Sequence, residues 1–272
     1  PISIDVDLTD QHRTKITYDN KAVSFPRGEV ADFPNMPDGK FKPIGQWSKE
    51  AVMLLHSQLP YASTDALRPA LNCIYVNQNG AFASCATDGH VLRVISDIDP
   101  HHECKLKKFS GIVTKRILQL LPRLVKNSVQ VSFSEDWYRF KMEHGLTLDI
   151  RAVDGTYPDF ARVIPQEFAS SVQVDVERMR NLAEAAKAFA NRATMASEFD
   201  IDGEELSITV DNIDGGTHWE SSMKVERLSG DGVRVGMNLG YLEKVLDGVT
   251  GKKALWKYND AASASVFSDP EG

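Results

Sequence analysis

Four stretches of the chain carry apolar residues at the repeat of a helix. In WSKEAVMLLHSQLPYAST (47–64), Val52, Leu54, Leu55 and Leu59 fall close to helical spacing. Ser48 stands there as an N-cap, with Ala51 three residues on. In TKRILQLLPRLVKN (114–127) the same spacing runs up to Pro122, which has no amide hydrogen and must kink or end the helix. In VDVERMRNLAEAAKAFANRAT (174–194), Val176, Met179, Leu182, Ala183, Ala186 and Phe189 form one stripe. NLGYLEKVLDGV (238–249) repeats the pattern with Leu239, Leu242, Val245 and Leu246.

Between these helices the period changes to two. NCIYVNQNGAFASCAT (72–87) has two β-rich runs around Asn79-Gly80, a hairpin signal. ELSITVDN (205–212) and HWESSMKVER (218–227) flank Gly215-Gly216. SVQVSF, YRFKME and LTLDIRAV alternate through 128–153, with turns at Glu135-Asp136 and His144-Gly145. KALWKYND and SASVFSD close the chain, and residues 2–26 read as strands with a turn at Asp19-Asn20. The order helix, strands, helix, strands therefore occurs twice. An aromatic-Pro-acid/amide mark precedes each round: EVADFPNMPDG (29–39) and DGTYPDFARVIP (154–165), a domain's length apart.

A length of 272 residues with 42% hydrophobic content suits two domains with packed cores. No segment reaches the apolar run of about 18 residues that a membrane helix needs, and no signal peptide is visible. The chain begins with Pro, which reads as a processed or trimmed start. Cys73, Cys85 and Cys104 are odd in number and lack CxxC spacing, which points to buried thiols in a reducing, cytoplasmic setting. A net charge of -7 argues against indiscriminate nucleic-acid binding but leaves room for a local basic face. The 114–127 helix carries Lys115, Arg116, Arg123 and Lys126 and no acid. The 174–194 helix carries Arg178, Arg180, Lys187 and Arg192, diluted by Asp175, Glu177 and Glu184. By composition alone these are two solvated helix faces.

Candidate chemistry is thin. Asp88 and His90 in TDGH would share a strand face, a conceivable hydrolytic or metal pair. Asp-Gly is also a common hairpin dipeptide, and the turn is the preferred reading. HHEC (101–104) offers adjacent ligands that cannot easily converge on one ion, so it reads as an exposed loop. Asp200, Asp202, Glu204 and Glu205 lack the offsets of a calcium loop and read as an acid-rich turn. Trp47, Trp137, Trp219 and Trp256 are scattered as core or edge residues.

Four segments in order, RPALN (68–72), ATDGHVLRV (86–94), DGTYPDFARVIP (154–165) and GMNLGYLEKVLDGV (236–249), resemble the bacterial DNA polymerase III beta subunit, the sliding clamp family. ADFPN (31–35) resembles that family's linker between its first and second domains. The resemblance implies an α+β fold of repeated DNA-clamp domains, each with two helices on the inner face and antiparallel sheets outside. It divides the chain into remnant strands of domain one (1–31), domain two (32–165) and domain three (166–272). Most of the first domain, and the final strand and tail of the third, lie outside the sequence. MASEFDIDGEEL (195–206) looks shortened where the family has another strand.

The function implied is a processivity factor that encircles duplex DNA without reading bases and tethers the replicative polymerase. Phosphates are attracted weakly and topology supplies residence time. The eight cations named above would face DNA. A peptide groove would hold short linear motifs of the polymerase, the clamp loader and repair proteins. By matching position its wall is Leu71, Thr87, Gly89, His90, Leu92 and Pro165, with Ser263 and Ser265 from the last strand. Val91 replaces a basic residue common in the family. Core packing is the rival reading for Leu71, Leu92 and Pro165. No cofactor, metal or catalytic activity is implied. The oligomer would be a dimer for a three-domain chain and a trimer for a two-domain one. The rivals are a clamp-derived peptide-binding module that does not close on DNA, and a metal-dependent hydrolase using Asp88, His90 and the His101–Glu103 region.

Overall fold

The computed structural model describes residues 4–9, 13–28, 37, 39–78, 82–98 and 109–270. The chain divides into two compact units, 1–40 and 41–272. The first is an antiparallel meander of β1 (Ile4–Asp7), β2 (Arg13–Tyr18) and β3 (Lys21–Pro26). Asp19 and Asn20 join β2 to β3 with φ of 44 and 59, the double left-handed geometry of the expected tight hairpin turn. Val6 pairs with Ile16 and Ile16 with Val23, so one apolar row crosses all three strands. No described residue before Ile44 is buried.

The second unit is built as two successive halves. The first half runs β4 (Lys42–Ser48), α1 (Lys49–Ser57), β5 (Cys73–Asn77), β6 (Phe82–Thr87), β7 (Leu92–Ile98), β8 (Ser110–Thr114), α2 (Lys115–Leu124), β9 (Ser128–Ser134), β10 (Trp137–Met142) and β11 (Thr147–Arg151). The other runs β12 (Ser170–Asp175), α3 (Val176–Lys187), β13 (Ala196–Asp202), β14 (Glu205–Asn212), β15 (Thr217–Lys224), β16 (Glu226–Ser229), β17 (Val233–Asn238), α4 (Leu239–Asp247), β18 (Lys253–Tyr258) and β19 (Val266–Ser268). The sheets repeat with the chain. Order β7-β6-β5-β8 answers to β15-β14-β13-β17, and β10-β9-β4 to β19-β18-β12, with β11 and β16 as edge strands that have no counterpart in the other half. Every pairing is antiparallel.

Even single bonds recur. The Lys49 amide at the start of α1 donates to Asn127 O just before β9 (2.6 Å), and the Val176 amide at the start of α3 donates to Lys252 O just before β18 (2.9 Å). In each half the two helices pack on one another. The expected repeated α+β fold is the one observed.

Each half has its own apolar cluster. Trp47, Leu55, Ile74, Leu118, Leu121 and Phe140 fill the first; Met179, Phe199, Ile201, Leu206 and Trp256 fill the second. The predicted helix stripes contribute to both clusters and strands supply the rest, while Leu54 and Phe189 join neither. Phe189 lies past the end of α3 and is 40% exposed, its ring stacked on Trp219.

Helix starts follow the sequence closely. Ser48 Oγ accepts from the Ala51 amide (3.2 Å), Asp175 from that of Arg178 (2.8 Å), and Asn238 from those of Gly240 and Tyr241 (2.8 and 3.1 Å). Pro122 sits inside α2 and leaves the carbonyl of Leu118 without its i+4 donor. The His56 ring nitrogen Nδ1 lies 3.0 Å from that oxygen and donates to it. Lys49 Nζ then closes the helix on the carbonyls of Pro122 and Val125.

The acid-rich turn is corrected. Asp200 and Asp202 lie on β13 and Glu205 on β14, and only Glu204 belongs to the turn. Phe199 and Ile201 point inward between them, so the acids are the outward set of an ordinary alternation. A strand therefore occupies the segment read as shortened. The Asn79-Gly80 turn, the 29–36 mark, Cys104 and the HHEC segment lie outside the described residues.

Candidate nucleic-acid interface and peptide groove

The eight candidate cations separate into two groups. Arg116, Arg123 and Lys126, on or just beyond α2, are exposed, as are Arg178 on α3 and Arg192 beyond it. None of these five has an ionic partner among the described residues. The other three are engaged. Lys115 Nζ donates to the carbonyls of Ala62 and Ser63, both at 2.8 Å, and burial holds its pKa below the ordinary lysine value. Arg180 donates to Leu246 O at 3.0 Å and pairs with Asp247 at 3.2 Å. Lys187 pairs with Glu243. These three brace helix ends and loops.

The groove candidates cluster around one turn. Thr87 Oγ1 accepts from the Gly89 amide at 3.0 Å, and Asp88 Oδ1 accepts from the amides of His90 and Val91, both at 2.9 Å. Gly89 has φ +95, a left-handed conformation that favours glycine; a Cβ there would stand 3.1 Å from the mobile end of Arg68. Asp88 Oδ2 accepts from Lys244 Nζ at 2.8 Å. Burial pushes the Asp88 carboxyl up, but Lys244 and the two amides outweigh it and hold it below its ordinary value. The His90 ring stacks on Tyr241 of α4, centroids 4.9 Å apart. Tyr241 is a functional candidate that sequence reasoning missed, although it sits inside the matching GMNLGYLEKVLDGV segment.

Asp88 and His90 thus meet through backbone, with the imidazole turned to Tyr241. This is a structured turn, not an acid-base pair. Among the described residues no group of three or more His, Cys, Asp or Glu side chains gathers to hold a metal ion.

Leu71 and Leu92 are half-buried beside Tyr157 and Phe160, which come from the DGTYPDFARVIP segment. That segment therefore closes over the turn's strands. Cys73 and Cys85 lie in the same small cluster, where burial raises their thiols to about 11 and about 12. Pro165 is half-buried just after the 3₁₀ turn Phe160–Val163.

The two serines are corrected. Ser263 lies in a turn and donates to Asp260 Oδ2 at 2.8 Å, and Ser265 precedes β19. Neither is on the last strand. A depression of about 480 Å³ opens beside the groove candidates, at the start of α2, with Asn72, Thr114, Lys115 and Arg116 in its lining.

No family model matches the chain. Curated relatives do. The chain is 25% identical over 282 residues to the beta sliding clamp of Caulobacter vibrioides, covering 99% of this chain and 74% of that one. It is 26% identical over 284 residues to the beta sliding clamp of Synechocystis, covering 98% and 72%. Among solved structures, Caulobacter crescentus pol III beta superposes with a TM-score of 0.87 at 22% identity, covering 99% and 74%. The DNA polymerase III subunit beta sliding clamp of Bartonella birtlesii, bound to griselimycin, gives 0.85 at 21% identity, covering 100% and 74%. Along nearly its whole length the chain is similar in sequence to bacterial beta sliding clamps, and it shares their fold.

Proposed function

We propose that this chain acts as a sliding clamp, a processivity factor that encircles duplex DNA and tethers the replicative polymerase. The observation that carries the reading is the repeat. Two halves with one four-stranded sheet of matching order each offer a helix pair, and Arg116, Arg123, Lys126, Arg178 and Arg192 stand exposed on or near α2 and α3 in a chain of net charge -7. Attraction to phosphates spread over several cations holds DNA without fixing its register, which sliding requires. The acidic remainder disfavours binding elsewhere.

Arg116, Arg123, Lys126, Arg178 and Arg192 would supply most of the attraction, with Lys115, Arg180 and Lys187 contributing field from behind. Residues 32–165 and 166–272 would act as successive clamp domains. The groove around Leu71, Thr87, Gly89, His90, Leu92 and Pro165 would take short linear motifs of polymerase, clamp loader and repair proteins. Gly89 lets a peptide backbone approach, and the leucines supply burial. The protein needs no catalytic step of its own and would work in the cytoplasm as a homo-oligomeric ring opened by an ATP-driven loader.

The test is mass in solution combined with retention on nicked circular and linear duplex after loading. Escape from the linear form alone supports a topological link. Equal retention on both overturns it. Griselimycin binding without retention on the circle favours a peptide-binding module that does not close on DNA.

A further inference from the structure

We infer that Lys244 on α4 is a positioning residue for the peptide groove, acting through Asp88 on the Thr87–Val91 turn. The inference rests on the groove reading above and adds to it a residue outside the predicted wall.

Asp88 divides its carboxylate between two tasks. One oxygen accepts the amides of His90 and Val91 and so shapes the turn internally. The other accepts Lys244 Nζ and fixes where that turn stands against α4. Lys244 also engages the first half through its backbone, since its carbonyl accepts the Tyr61 hydroxyl at 2.5 Å. One turn of helix earlier, Tyr241 carries the His90 ring. Arg93 lies over the Tyr61 ring at 5.1 Å and donates to Ser57 O at 2.9 Å, which steadies the same corner.

The charged groups facing one another here are Asp88, Lys244 and Lys115. The Asp88 side chain is 16% exposed and that of Lys244 36%, so their bond is only partly screened. Removing the ammonium leaves the internal bonds of the turn intact and loses its placement. A groove with Thr87, Gly89 and His90 in its wall would then be held at the wrong distance from Tyr241.

The experiment uses the full chain and griselimycin as probe, followed by calorimetry, with the His90 ring-proton shift read by NMR without ligand. K244M should weaken griselimycin binding about fivefold, the size expected for one partly screened ion pair. K244R should restore it. K244M should add little further loss in the D88N background, because both act through one contact. The His90 shift should move away from its stacked value in K244M and return in K244R. Wild-type affinity with an unmoved His90 shift in K244M overturns the inference. So does a loss that K244R does not rescue. If the wild-type chain binds no griselimycin, the groove reading fails instead, and the His90 shift still decides the positioning role.

Discussion

At the scale of single residues, proline and histidine settle a bond between them. Pro122 removes the donor that Leu118 O would have met, and His56 supplies another from a neighbouring helix. His56→Ala strands a partly buried carbonyl and should cost about 1–3 kcal/mol. It should appear as a lower urea midpoint with unchanged slope. In a Pro122→Ala background the backbone regains its own amide, and the same His56→Ala change should cost less.

Asp88 gives a second measurement at this scale. Its folded carboxyl titrates below its unfolded one, so it contributes stability above the unfolded value of about 3.9. That contribution is lost as pH falls through the lower folded value. D88N should flatten the acid limb of the Tm profile below about pH 4.

At the scale of elements, α2 shows that helical cations are not equivalent. Arg123→Gln and Lys126→Gln should each reduce the salt slope of DNA retention by about one, read by washing nicked-circle complexes at stepped KCl. Lys115→Gln should instead lower thermal stability, because its ammonium bridges the carbonyls of Ala62 and Ser63.

All four helices were legible, since a 3.6-residue period is a local fact; three of them also start on a capping side chain, and α2 does not. The strands β4 and β12, which open the two halves, were not. β12 pairs with β18, Ser170 opposite Tyr258, and nothing near Ser170 announces a partner so distant. β13 was hidden because its outward acids outnumber its inward Phe199 and Ile201 to the eye. The candidate site divides in the same way. Residue types were readable, yet Lys187 meets Glu243 across 56 residues and Arg180 meets Leu246 O across 66. Which cations remain exposed is a tertiary fact.

At the scale of the molecule, the two cores of the second unit share one helix. Leu239, Leu242 and Leu246 fill the second cluster, while Tyr241 and Val245 of the same helix pack against the first. Val245→Ala removes two methyl-sized groups from that shared surface, roughly 0.8 kcal/mol each. Hydrogen exchange should then quicken in α1 as well as in α4, with loss of protection of about 1–2 kcal/mol. Faster exchange confined to α4 would show that the halves are energetically separate.

The nine residues of α4 are almost fully committed. Three leucines face one core, Tyr241 and Val245 the other, Glu243 holds Lys187, Lys244 holds Asp88, and Asp247 holds Arg180. Only Gly240 is left without a side-chain duty. In a saturation mutagenesis screen this short segment should therefore be the least permissive stretch of the chain, and sequence drift should concentrate on helices that serve a single neighbour.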